Sequence, residues 1–188
     1  MTKLINPLIG LSLLAFLVWN PLPLQILELK TFDWLMSTKE PVQDTMILLV
    51  DLDEEIVKAY GGYPLPRSLY SQIISRTQGT AGITVLMPDP DIRGAVEDEY
   101  LSEILSIYPA VLAYTASNQA TQVGPHVGTA QLGGDPSKWL LTYPGILRQT
   151  PVLAEVSAGV GLITSAPEVD GLVRRIPLVV NVQDNLYP

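Results

Sequence analysis

Three short apolar runs, at residues 46–50, 83–87 and 110–115, alternate with stretches whose apolar residues recur at helical spacing, and this alternation leaves few folds open. A continuous apolar run of that length reads as a strand buried on both faces. Between the first two runs, Leu69, Ile73 and Ile74 mark an amphipathic helix; between the last two, Val96, Tyr100, Leu101, Ile104 and Leu105 mark another. Strand, helix, strand, helix, strand predicts an α/β domain with parallel neighbours. Residues 156–164 and 172–181, then Leu186 and Tyr187, read as short strands separated by turns, so the sheet is expected to be mixed and more antiparallel in its C-terminal half. From 117 to 151 the pattern dissolves into Gly, Pro, Thr and Gln, which is long for a structureless loop and leaves either a binding loop or a stretch that periodicity cannot read.

Charge and residue usage remove several function classes. Nineteen acidic against eleven basic side chains give a formal charge of −8, which repels a phosphate backbone and argues against a nucleic-acid partner. There is no cysteine, so disulfides and thiolate metal sites are excluded. The single histidine, His126, lies in a Gly/Pro-rich stretch and reads as a loop residue. Neither metal nor cofactor is expected.

Residues 4–19 carry no charged side chain, follow Lys3, and end at an Asn20-Pro21-Leu22-Pro23 break. A spanning helix needs roughly 20 residues, so the run is long enough only if residues 21–24 extend it through the interface. Bulky residues where a small-x-small cleavage site would stand favour an uncleaved anchor over a removed signal peptide. Residues 1–24 are therefore expected to be a cytoplasmic N-terminus and transmembrane helix. Positive charge before the segment and an acidic chain after it place the remainder, 25–188, in the periplasm or outside, with the plasma (inner) membrane as partner. Leu24, Leu27, Glu28, Thr31, Phe32 and Leu35 recur at near-helical spacing, predicting an amphipathic helix that continues the anchor and either carries a mechanical signal or packs on the core.

The candidate binding residues are Asp51, Asp53, Tyr63, Arg67 and Asp89, because their loops leave the ends of adjacent predicted strands. The alternative for Asp53 is to cap a short helix. An Asp51-x-Asp53 pair after an apolar strand also fits a magnesium-dependent phosphotransferase, with one carboxylate as nucleophile and the other as acid/base. Glu55 stands where that motif has threonine or valine. Asp89-Pro90-Asp91-Ile92-Arg93-Gly94 half-matches a calcium loop but puts Arg93 at its fifth position and Tyr100 at its twelfth, so a solvated loop capping the next helix is favoured. Arg67, Arg174 and Arg175 form either an anion cluster or ion pairs with Asp51, Asp53 and Asp170; the structural reading is favoured, with Arg174, Arg175 and Asp170 as its members.

The ordered segments LELKTFDWLM, ILLVDLDEE, YGGYPLPRSLY, MPDPD, AGVGLI, VDGLVRRIPL and NLYP resemble the CHASE type-2 domain, an extracellular sensor of bacterial cyclases, histidine kinases and serine/threonine kinases. The likeness runs from about Leu27 to Pro188. Where the family's second strand usually ends in a phenylalanine-aspartate pair, residues 82–87 hold no acid. The resemblance implies a non-catalytic sensory domain that binds an unidentified extracytoplasmic ligand and forms a homodimer. It also implies that the domain is cut short at its C-terminal end, with catalysis left to a missing cytoplasmic kinase or cyclase. A structural module that only dimerises its host is the remaining alternative.

Overall fold

The computed structural model describes residues 15, 16, 18–40, 46–121 and 132–188. They divide into two compact units, one containing helix α1 (Leu22–Ser37) and residues 167–174, the other residues 51–166 and 175–188.

In the first unit α1 begins after Pro21, with Pro23 in its opening turn, where a missing N–H costs no hydrogen bond. The Thr38 hydroxyl donates to the Leu35 carbonyl at 2.7 Å and closes its far end. The expected spanning helix is corrected here. Sixteen residues reach about 24 Å, short of a ~30 Å hydrocarbon core, and three of them are Glu28, Lys30 and Asp33. Among the described residues no helix is long and apolar enough to cross a membrane. The 4–19 run itself lies outside the described residues apart from 15, 16, 18 and 19. With the helix go the membrane as partner, the single-pass inner-membrane placement and the orientation built on it. The amphipathic face is corrected as well, because apolar residues are spread around α1 and none is buried. Nor do the described residues support the expected homodimer.

The second unit carries every buried residue among those described. Its elements are α2 (Glu54–Ala59), α3 (Arg67–Arg76), β1 (Ala81–Ile83), α4 (Ala95–Ile107), β2 (Ala110–Ser117), a 3₁₀ turn (Ser137–Trp139), β3 (Thr142–Tyr143), β4 (Gly145–Leu147), α5 (Pro151–Ala154), β5 (Gly159–Leu162), β6 (Val180–Val182) and β7 (Asn185–Tyr187). β2 is the centre of a four-stranded sheet. It runs parallel to β1, Ala81 opposite Ala110, and to β5, Val111 opposite Gly159. Its last three residues turn to an antiparallel partner, β4. A three-stranded sheet joins β3 and β6 in parallel and β6 and β7 as a hairpin. Gln183 and Asp184, both at positive φ, form the two-residue hairpin turn whose twist suits antiparallel strands.

Side chains two apart on β2 share a face, and that face serves two cores. Ala110 and Leu112 pack with Leu65, Tyr70, Ile74, Leu101, Leu105 and Leu153. Tyr114 packs with Ile146, Val180, Val182 and Tyr187. The three tryptophans, Trp19, Trp34 and Trp139, belong to neither and are exposed.

Residues 46–50 are not a strand: they belong to no sheet and are 54–93% exposed. Apolarity supplies a reason to be buried, whereas a strand also needs a backbone partner. The run at 83–87 enters the sheet only through Ile83, and of 172–181 only the last two residues are in β6.

Candidate functional site

Beside the C-terminal half of β2 the second unit holds a pocket of about 600 Å³, within the range of small-molecule sites. Its volume exists because the elements around it bring short side chains to one place: Ala113 from β2, Ala154 from the end of α5, Ala158 and Gly159 from the start of β5. Ile146, Val160 and the rings of Tyr114 and Tyr187 complete the apolar wall. Those rings meet edge to face, 5.9 Å between centroids at 67°. The Tyr114 hydroxyl donates to the main-chain oxygen of Pro188, which also lines the pocket. Burial, with the neighbouring Tyr187 phenol adding to it, pushes the Tyr114 phenol up to about 12. Burial raises Tyr187 too, against the opposing pull of the Arg148 charge. Both phenols are neutral at physiological pH.

The polar groups of the wall divide into occupied and available. Gln149 is buried and its carboxamide is used in full: Oε1 accepts from Met87 N at 2.7 Å, and Nε2 donates to the carbonyls of Val85 (3.0 Å) and Ala113 (2.9 Å). This is why residues 84–87 lie beside β2 without extending β1, a side chain standing in for strand backbone. The Ser157 hydroxyl donates to the Ala154 carbonyl. Arg148 is half-buried and, among the described residues, enters no hydrogen bond or ion pair; Glu155 stands exposed at the rim.

The residues singled out from sequence lie elsewhere. Arg67, at the first position of α3, is buried. Its Nε donates to Asp98 Oδ1 at 2.9 Å and stands 3.8 Å from Asp91 Oδ2, and Nη2 donates to the Asp89 carbonyl at 2.8 Å. Asp98 Oδ2 accepts from Asp91 N, Asp91 Oδ1 accepts from Arg93 N, and Arg93 Nη2 donates to the Pro64 carbonyl. Glu97 accepts from Ser68 N in the first turn of α3. The proline-rich loop, the 88–94 loop and the N-terminal ends of α3 and α4 are thus bound by one charge network. Asp89 contributes only its carbonyl there. Tyr63 is exposed. Asp53 caps α2, its carboxylate accepting from Ile56 N at 3.0 Å, and Asp51 is exposed. With Asp53 spent on a helix end, the arrangement offers no support for the magnesium-dependent phosphotransferase, and among the described residues no group of three or more His, Cys, Asp or Glu is placed to hold a metal ion. His126 lies outside the described residues.

In the first unit Arg174 makes a two-sided clamp. Its Nε and Nη2 donate to Asp33 at 2.8 and 2.7 Å, and Nη1 and Nη2 donate to Asp170 at 2.8 and 2.7 Å. The guanidinium fork fits both carboxylates in paired fashion. It holds Asp170 down to about 2 and Asp33 below the usual carboxylate range, while the two acids push Arg174 upward. Arg175 is exposed and belongs to the second unit. The resemblance expects an acid at Asp33, on α1, but not its partner, because nothing in the sequence relates a helix position to an arginine 141 residues away.

The pocket residues were missed for similar reasons. Arg148 and Ile146 fall in the 117–151 stretch that has no readable period, and Gly159 reads as ordinary strand packing. Neither a curated protein nor a solved structure matches the chain. A family model described as CHASE2 domain matches residues 9–188.

Proposed function

Because the chain belongs to the CHASE2 domain family, we propose that it is a non-catalytic sensory module whose signal is a small molecule held in the pocket beside β2. The observation that carries this reading is the pocket itself: about 600 Å³, walled by two tyrosine rings and small apolar side chains, with one cation unengaged among the described residues. Asp53 is spent on capping α2 and Asp98 on pairing with Arg67, and among the described residues no group of three or more His, Cys, Asp or Glu is placed to hold a metal ion. A sensor responds only if its ligand binds two states with different affinity. Tyr187 and Pro188 line the pocket and belong to or adjoin β7, so occupancy bears directly on the hairpin β6–β7.

The test is a thermal-shift screen of a small-molecule library against the wild-type chain and Ala158→Phe, a substitution that fills the mouth. A ligand present at 100 times its Kd stabilises by about 2.7 kcal/mol, enough to move a melting curve. Compounds that stabilise the wild type are expected to leave the variant unmoved. Equal shifts in both proteins would place binding elsewhere and sink the proposal.

A further inference from the structure

Building on the reading of this pocket as a ligand site, we propose that it takes a small monocarboxylate with an apolar or aromatic body, the carboxylate held by Arg148 and the body lying between the tyrosine rings and β5. Elimination among the groups that line the cavity leaves Arg148. Tyr114, Gln149 and Ser157 already have partners for their donors. Arg148 does not: the residue is half-buried and, among the described residues, makes no hydrogen bond or ion pair. A planar fork of N–H donors is matched by a planar carboxylate, which accepts two parallel hydrogen bonds. The remaining wall of Ala113, Ile146, Ala158 and Val160, with the ring of Tyr187, is largely apolar, so the rest of the ligand is apolar. Flat rings suit it, since the edge-to-face tyrosine pair presents an aromatic surface.

The charge of the ligand is bounded from above. One arginine neutralises one negative charge; Glu155 at the rim and a net charge of −8 on the chain oppose a second. Phosphate monoesters and dicarboxylates are therefore disfavoured against a monoanion of the same size.

Calorimetry on the full chain tests this with phenylacetate and its neutral isostere phenylacetamide, each against wild type, Arg148→Met and Arg148→Lys. Phenylacetate is expected to bind the wild type, and phenylacetamide about ten-fold or more weakly, because a charge-assisted pair is replaced by a neutral one. Arg148→Met should lose a similar factor for phenylacetate while its affinity for phenylacetamide stays unchanged. Arg148→Lys, which keeps the charge and the stem, should fall between and serves in place of Arg148→Met if that variant fails to fold. Equal affinity of the wild type for both probes, or undiminished phenylacetate binding by Arg148→Met, would overturn the monocarboxylate inference and leave the pocket standing as a ligand site. Binding of neither probe overturns it too, and the pocket then stands or falls on the library screen.

Discussion

The Gln149 carboxamide satisfies one backbone N–H and two carbonyls that would otherwise sit unpaired between residues 85–87 and β2. Thr121 acts in the same way one strand along: its hydroxyl accepts from Ile146 N and donates to Ile146 O, completing the edge of β4. Gly145, next to it, has no room for a side chain, since a methyl group would collide with the Gln119 carbonyl and with Thr121. Side chains of this kind break the rule that a strand reads as a periodic run, and they explain why the 83–87 run looks like strand while only Ile83 is one. Buried groups left unpaired cost about 1–3 kcal/mol each, so Gln149→Leu is expected to lower unfolding stability by at least about 2 kcal/mol in urea titration. A midpoint equal to wild type would mean that water replaces the amide without loss.

At the scale of elements, two arginines do parallel work in separate units. Arg67 fastens α3 to α4 through Asp98, both side chains nearly inaccessible to water, so it binds framework and leaves no face for a ligand. Arg174 fastens α1 to the 168–172 turn through Asp33 and Asp170. Both carboxylates titrate below the usual 3.8 because the ion pair favours their charged form. A depressed folded pKa means that the clamp's contribution is present above pH 3.8 and is lost as pH falls from there toward about 2, the Asp170 value. Protection of α1 amides should therefore hold from pH 7 to 4 and decline below it, with Asp170 titrating near 2 by carboxylate NMR. An Asp170 midpoint close to 3.8 would show that the pair is open in solution. The turn at Asp170-Gly171 is legible from its dipeptide, since an acid followed by glycine marks a tight turn, and Gly171 does adopt positive φ. The partner on α1 is not, because a single charged residue on a helix carries no address.

Over the whole molecule the described residues divide burial unevenly: every fully buried residue falls in the second unit, and the first holds only exposed and half-buried ones. Local stability follows packing, so amides of α1 are expected to exchange with deuterium roughly 10²-fold or more faster than those of β2. Comparable protection would reveal a contact that covers the exposed apolar side chains of α1. The alternation of apolar runs and helical spacing was enough to locate α3, α4 and β2, because each buries a face that its own sequence marks. It misplaced a strand at 46–50, which joins no sheet, and it gave no hint of the pocket, whose walls are defined by small residues and by a cation that no pattern distinguishes. The placement of the aromatic residues also decides how this chain can be watched. All three tryptophans already stand in water, so their emission will scarcely register collapse or rupture of the cores. Tyr114 and Tyr187, fixed against each other at the pocket wall, and Tyr70, buried in the other core, are expected to supply the fold's chiral near-ultraviolet signal, which makes ellipticity in the tyrosine band an optical handle for unfolding and, through the pocket pair, for occupancy.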